Sequence, residues 1–285
     1  MINATLVLEG GASRGIFTAG ALDYVMEQNL ELSHVIGVSM GACNGVDYVS
    51  KQIGRTKDCI IHDKEGIEFY FGPREMIRHK SVMNMDLLFH DFPSDIYPFD
   101  IDTYKESKAI CEVVATNCYT GKATYFHNCE DMKILMQMCR ASCSMPVIAP
   151  ITEIEGIPYL DGGVADSIPL KRAMTYGNRK IVLILTRNFN YRKKAPKRPL
   201  SHLYKRVYKE YPYLVEALLT RHIRYNRVME KIEEYEKKGY IYVLRPKLPM
   251  IPHMEKNKEK LDEFYQHGYL LMKEDYQNLL RYLDQ

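Results

Sequence analysis

The chain has 285 residues, 46% of them hydrophobic, and a formal net charge of +3 at pH 7. That is enough apolar material for a real core, and the length suits one large domain or one domain with an extension. No stretch approaches the roughly 18 apolar residues of a membrane-spanning helix, which excludes an integral helical membrane protein.

Thr5–Leu8 reads as a buried strand and is followed by Gly10-Gly-Ala-Ser-Arg-Gly15. An apolar-periodic stretch from Ile16 to Met26 predicts a helix. His34–Gly37 predicts a second strand, running into Val38-Ser39-Met40-Gly41 and a helix to about Ile53. This alternation favours a parallel sheet with helices on its faces. Residues 55–104 are less regular and hold five of the nine Phe, at positions 69, 71, 89, 92 and 99. Ala109–Cys118 and Ala123–His127 predict a hairpin, Glu130–Ala141 a helix, and Ile151–Glu155 and Ile157–Leu160 two strands about a turn at Gly156. Pro169–Tyr176 predicts a helix closed by Gly177, and Ile181–Leu185 the last clear core strand. Beyond it the pattern is mainly helical. Ser201 suits a helix cap, Pro212 a first turn, and Val215, Leu218, His222, Tyr225, Met229 and Ile232 share one helical face up to Gly239. Tyr240–Leu244 reads as a strand and Glu259–Leu283 as a final amphipathic helix.

The charge is unevenly divided. Residues 1–186 hold 17 Lys and Arg against 23 Asp and Glu, whereas residues 187–285 hold 22 against 13. Arg187–Arg198 contains six basic residues and no acidic one, and the boundary is placed there. The expected organisation is a catalytic domain over 1–187, a basic linker over 188–200 and a mainly helical extension over 201–285. Seven cysteines without CxxC spacing argue against a zinc or redox motif and for a reducing compartment. No signal peptide is expected, because the apolar run at Leu6–Leu8 is short and has no basic residue before it. The expected location is therefore cytoplasmic, at most peripheral to a membrane.

Gly37-Val-Ser-Met-Gly41 matches G-x-S-x-G. A chain turning sharply from strand into helix needs small residues two positions either side of the serine, so that the backbones can pass. The hydroxyl then projects at the helix N-terminus, where free N–H groups favour developing negative charge. The loop Gly10-Gly-Ala-Ser-Arg-Gly15 can expose backbone N–H donors to an oxyanion, each worth on the order of 3 kcal/mol. A dinucleotide fingerprint would need Gly where Ala12 stands. Asp161-Gly-Gly163 puts an acid at a strand end in a loop that can approach another closely.

A glycine-rich loop, then G-x-S-x-G, then D-G-G, in that order, resembles the patatin-like phospholipases. The resemblance covers roughly residues 4–187 and includes Arg14 at the family's basic position and the stretch Ala141-Ser-Cys-Ser-Met-Pro146. The whole chain further resembles a bacterial subgroup with a helical C-terminal extension. The resemblance implies a three-layer α/β/α sandwich with a mainly parallel sheet. It implies a serine acyl hydrolase for lipid esters, of the phospholipase A or lysophospholipase type, with Ser39 as nucleophile, Asp161 as the base of a dyad without histidine, and Gly10, Gly11 and Ala12 as oxyanion hole. Arg14, Gly15, Gly37, Gly41, Gly162 and Gly163 support these loops. Ala12 stands where the family has a third glycine, and alanine resists a positive φ. A triad would draw its histidine from His202, His222, His253 or His267, with His90 and His127 preceding Asp161.

No cofactor and no metal is expected. The run Arg187–Arg198 reads as a solvated linker or as a contact for anionic lipid headgroups, and nucleic acid is not an expected partner. The Phe-rich stretch reads as core, acyl-chain channel or lid. The competing functional class is a non-catalytic membrane- or partner-binding protein on the same scaffold.

Overall fold

In the first half of the chain, β1 (Ile2–Leu8) passes through a 3-10 turn at Ala12–Arg14 into α1 (Gly15–Glu27), and β2 (Leu32–Val38) turns at Ser39 into α2 (Met40–Val49). Then come α3 (Arg55–Ile60), α4 (Pro73–His79), a π-helical stretch at Leu87–Ile96 and α5 (Ile101–Glu106). β3 (Ile110–Asn117), β4 (Ala123–His127), α6 (Met132–Cys143), β5 (Thr152–Ile154), β6 (Ile157–Asp161), α7 (Leu170–Tyr176) and β7 (Lys180–Ile184) complete the part before the basic run. α8 (Arg198–Val207), α9 (Pro212–Lys237), β8 (Tyr242–Leu244) and α10 (Lys258–Asp284) follow it. The structure, a computed structural model, describes residues 1–62, 67, 69–79, 81–127 and 129–284.

The strands form one eight-stranded sheet. β3, β2, β1, β7 and β8 are neighbours in that order and all parallel. β4 and β6 run antiparallel to β3, and β5 antiparallel to β6. Both faces are covered, which is why the central strands are apolar without interruption. Leu6, Leu8, Val35 and Ile184 pack with Phe17, Val46 and Phe264 of α1, α2 and α10. Val7, Ile36, Val38 and Leu183 pack with Ala173 of α7 and with Tyr225, Met229 and Ile232 of α9. The fold is the expected α/β sandwich with a mainly parallel sheet and a helical C-terminal region.

One detail of register positions the site. Val114 and Ala115 are successive residues of β3. On one edge they pair with Tyr125 and Thr124 of β4. On the other edge Val114 pairs with Val38, the last residue of β2, and Ala115 pairs with Asp161, the last residue of β6. β6 therefore takes up the edge of β3 where β2 leaves it. The residue after Val38 is Ser39, so the ends of two distant strands meet.

Several expectations need adjustment. α2 stops at Val49 rather than near Ile53, because Lys51 sits at φ 58, outside the right-handed helical region. Among the described residues the less regular stretch from 55 onward holds the short helices α3, α4 and α5 and the π-helical stretch. Ser201 does not cap α8, which starts at Arg198. Its hydroxyl instead donates back to the Lys197 carbonyl at 3.3 Å. Ile181–Leu185 is not the last core strand, since β8 adds to the same edge through Val182, Leu183 and Ile184. Gly177 closes α7 at φ 104, as the sequence implies.

Candidate active site

Ser39 makes the whole turn between β2 and α2, at φ 55 and ψ −126. A non-glycine residue there costs about 1–3 kcal/mol and persists only where its surroundings fix it. Its N–H donates to Ser142 Oγ at 2.7 Å, and Ser142 Oγ donates to the Val114 carbonyl at 2.6 Å. Gly41 lies so close under the end of β1 that any Cβ would collide with the Leu8 carbonyl. Gly37 packs in the same way against the start of α2.

Asp161 is 6% exposed and Ser39 7%. The Asp161 backbone is clamped from both sides. Its carbonyl accepts the Thr116 hydroxyl at 2.8 Å, and its N–H donates to the Ser144 carbonyl at 2.8 Å. Its carboxylate accepts the Gly163 N–H at 2.7 Å, and the nearby Ser39 hydroxyl favours its charged form. Burial lifts the carboxyl above the ordinary carboxylate range. Arg221, the Ser39 hydroxyl, the Gly163 N–H and Lys193 oppose the rise without cancelling it. Gly162 packs directly on the Val114 carbonyl, which brings this loop onto β3.

The glycine-rich loop borders Ser39. A Cβ on Gly10 would lie 2.9 Å from Ser39 Cβ. The Gly10 carbonyl accepts the Thr186 hydroxyl at 3.0 Å, so the N–H of Gly11, on the same trans peptide, faces the opposite way. Among the described residues the Gly11 and Ala12 N–H groups have no acceptor. The Ser13 N–H donates to the His253 carbonyl and the Arg14 N–H to the Gly11 carbonyl. Ala12 adopts φ 47, the conformation its side chain disfavours. Arg14 is 3% exposed, and its Nε and Nη1 have no partner among the described residues. Burial and the neighbouring Arg187 lower its pKa to about 10. Gly15 starts α1 against Met40. Every site residue expected from the sequence thus lies within this cluster of loops.

Other residues of the cluster were not legible in advance. Glu9 is buried at the end of β1, where its carboxylate accepts the Tyr225 hydroxyl at 2.9 Å and the Thr186 N–H at 2.8 Å. A charged residue ending an apolar strand just before two glycines is the only signal it gives. Ser142 lies in the stretch noted for its resemblance, but nothing in its spacing reveals that it holds Ser39.

Two cavities open on Ser39. One, of about 400 Å³, is mainly apolar and lined by Met40, Phe69, Phe89, Phe92, Met136 and Met145, with Ala12 at its edge. Phe71 stacks on His79 instead, and Phe99 belongs to the core. The other, of about 230 Å³, is polar and borders Gly11, Asp161, Arg187, Lys193, Arg221 and His253. A serine hydroxyl close to a buried carboxylate, beside free backbone N–H groups and between an apolar and a polar chamber, can carry out nucleophilic acyl chemistry.

Of the histidines, His253 alone borders either Ser39 cavity together with Asp161. His90 pairs with Asp91 at 2.9 Å, and His202 bonds the Arg198 carbonyl at 2.8 Å. His127 sits exposed at the end of β4. His267 packs on Phe17 and accepts the Lys247 N–H at 2.9 Å. His222 lies half-buried on α9. Among the described residues no group of three or more His, Cys, Asp or Glu is arranged to hold a metal ion, and no helix is long and apolar enough to cross a membrane. All seven cysteines are free thiols.

Residues 6–174 match the patatin-like phospholipase family, and residues 211–284 match a domain of unknown function, DUF6363. An uncharacterized protein of Escherichia coli (strain K12), YjjU, is 31% identical over 194 residues, which is 64% of this chain. The match spans about half the length of that relative, 51%. The fold is similar to that of VipD from Legionella pneumophila, with a TM-score of 0.50 at 13% identity over 99% of this chain and 67% of that one. The family match covers more than half of the chain and includes the Ser39 turn, the glycine-rich loop and Asp161, and the chain belongs to the patatin-like phospholipase family.

Proposed function

We propose that the protein hydrolyses carboxylic esters of lipid acyl chains through a dyad of Ser39 and Asp161. The observation that carries this reading is the meeting of the strained Ser39 turn and the buried Asp161 carboxylate where the ends of β2 and β6 come together on β3. Ser39 Oγ attacks the ester carbonyl carbon as its proton passes to Asp161. The N–H groups of Gly11 and Ala12 hold the oxyanion, with Gly10 setting the turn of the loop. The C–O bond to the alcohol then breaks, and the alcohol leaves with the proton from Asp161. Water attacks the acyl-enzyme, gives its proton to Asp161, and Ser39 recovers that proton as the fatty acid departs. The apolar cavity takes the acyl chain.

On this reading residues 1–187 carry the chemistry, 188–200 connect, and 201–285 form the extension. The extension packs on the same sheet through β8, α9 and α10. The proposed contact with an anionic membrane rests on the exposed Lys194, Lys197 and Arg198. α8 continues from them and exposes Leu203 and Val207 beside Lys205 and Arg206. A fluorophosphonate probe tests the hydrolase reading. The wild type should gain the mass of one adduct, and Ser39→Ala should gain none. Labelling that persists in Ser39→Ala would remove Ser39 from the mechanism.

A further inference from the structure

Four of the seven thiols line the apolar cavity, although they come from distant parts of the chain: Cys43 on α2, Cys59 on α3, and Cys139 and Cys143 on α6. Cys43 Sγ lies 3.8 Å from Cys143 Sγ, across 100 residues of sequence, so no local spacing announces the pair. Both are partly exposed, whereas Cys139 is buried. Cys139 and Cys143 stand one turn apart on α6 and so share a face. The pair bears on the Ser39 turn from two sides. The Cys43 N–H donates to the Ser39 carbonyl at 3.4 Å, and Cys143 directly follows Ser142, whose hydroxyl accepts the Ser39 N–H.

The two sulfurs differ in character. Cys43 ends the first turn of α2, where the helix N-terminus favours a thiolate. Its neighbours Cys139 and Cys143, with the Arg55 guanidinium further off, hold the Cys43 thiol well below its ordinary range against the effect of burial. Cys43 beside it and burial hold the Cys143 thiol well above that range, so Cys143 keeps its proton. Burial also pushes the Cys59 thiol up to about 12. A thiolate reached from a cavity, next to a protonated second thiol, is the arrangement in which a sulfenic acid forms and is resolved as a disulfide. The apolar cavity admits a small uncharged oxidant to Cys43.

We infer that Cys43 and Cys143 are an oxidation site, converted by hydrogen peroxide into a disulfide in the wall of the apolar cavity. The Cys43 thiolate attacks one peroxide oxygen, and the O–O bond breaks. The hydroxide released takes up the proton that Cys43 has lost, and Cys43 is left as a sulfenic acid. Cys143 Sγ then attacks the Cys43 sulfur, the S–O bond breaks, and the hydroxyl leaves as water with the Cys143 proton. Two thiols have lost two electrons, and one peroxide has become two waters. The sulfurs must close from 3.8 Å to a bond of about 2.05 Å. That closure pulls on the residue bonded to the Ser39 carbonyl and on the one next to Ser142, so the strained turn shifts and turnover falls. A thiol reductant reverses the bond and restores the turn. In reducing surroundings the pair stays as two thiols until peroxide reaches it.

The test treats the reduced full chain with hydrogen peroxide, blocks the remaining thiols with N-ethylmaleimide under denaturing conditions, and maps the peptides by mass spectrometry. In the wild type the peptides carrying Cys43 and Cys143 should be recovered joined, and dithiothreitol should separate them. In Cys143→Ser the oxidation should stop at the Cys43 sulfenic acid, which dimedone traps. In Cys43→Ser neither the crosslink nor the dimedone adduct should form, because Cys143 is not the reactive thiol. Turnover of a short-chain nitrophenyl ester by the wild type should fall about tenfold after peroxide and return with dithiothreitol. Cys43→Ser, measured against its own untreated sample, should lose little. Recovery of both thiols unmodified, or a crosslink from Cys43 to Cys139 or Cys59, would overturn the site. An equal loss of turnover in Cys43→Ser would assign that loss to other oxidation, such as that of the cavity methionines, and overturn the effect of the disulfide on turnover. The crosslink is read by mass and does not depend on the hydrolase reading, whose failure would appear separately as absence of fluorophosphonate labelling at Ser39.

Discussion

The Ser142 hydroxyl accepts the Ser39 N–H at 2.7 Å and donates to the Val114 carbonyl at 2.6 Å. One side chain of α6 therefore locks the strained turn to β3, at the residue whose neighbour Ala115 pairs with Asp161. Ser142→Ala leaves a buried donor and a buried acceptor unmet, at a cost of about 1–3 kcal/mol in stability. Turnover of a soluble nitrophenyl ester should fall by about tenfold or more, because the hydroxyl of Ser39 is no longer held in line. The effect should be on kcat, with KM little changed. Steady-state kinetics beside a melting curve separate the two consequences.

Gly41→Ala should be more damaging than its size suggests. The added methyl group meets backbone, the Leu8 carbonyl, and backbone cannot move aside as a side chain can. Overpacking of this kind costs typically about 1–3 kcal/mol. The expected outcome is a lower melting temperature together with loss of fluorophosphonate labelling, since β1 and the Ser39 turn must separate to make room.

Acid should destabilise the end of the sheet remote from Ser39. Glu112 is 2% exposed and accepts Arg172 Nε at 2.9 Å and Nη2 at 2.5 Å, with His34 Nε2 at 3.7 Å. Burial opposes its charge, but Arg172 and His34 outweigh burial and hold the Glu112 pKa at about 2, against an ordinary 4.5. The folded value lies below the unfolded one. The stabilisation is therefore complete above pH 4.5 and is lost as the pH falls towards 2. It is on the order of 3 kcal/mol, nearer about 2 after allowing for the partial exposure of Arg172. Glu112→Gln should lower the melting temperature at neutral pH, and the gap from wild type should narrow as the pH is lowered. A gap that widens in acid would contradict the assignment.

The membrane contact can be tested on the side chains that remain free for it. Arg192 is committed to Glu233, and Lys193 faces the cavity. Neutralising Lys194, Lys197 and Arg198 should weaken binding to anionic vesicles at low salt by about 1 kcal/mol per charge. Hydrolysis of a soluble ester should stay close to wild type. Equal binding of the wild type to neutral and anionic vesicles would identify the run as a solvated linker.

Much of this was legible because it is local. The β1–glycine loop–α1 and β2–Ser39–α2 units follow from apolar runs interrupted by glycines at fixed spacing, and Gly177 and Pro212 mark helix ends by their backbone restrictions. What could not be read is long-range. Glu9 and Tyr225 bond across 216 residues of chain, and Ser39 and Ser142 across 103. Tyr242–Leu244 is only three residues long, too short for periodicity to assign it to the β7 edge. Charge patterning marked Arg187–Arg198 as one basic segment. It could not divide the inward Arg187 and Lys193 from the outward Lys194 and Arg198, because that division depends on α9 packing behind them.

The central claim is that Asp161 is the base and that no histidine shares the task. His253 is the histidine best placed to contradict it, since it borders the same cavity as Ser39 and Asp161. Burial holds the Asp161 carboxyl above the ordinary carboxylate range, which makes it a better base than an exposed one. The same burial makes its charge a cost to the fold, so Asp161→Asn should melt no lower than the wild type. The decisive measurement is kcat on a soluble short-chain ester for Asp161→Asn and His253→Gln side by side. Asp161→Asn should lose about 10²–10⁴-fold, the contribution of a general base, while His253→Gln should stay within about tenfold of wild type. A loss in His253→Gln as complete as that in Asp161→Asn, with an unchanged melting curve, would replace the dyad by a triad.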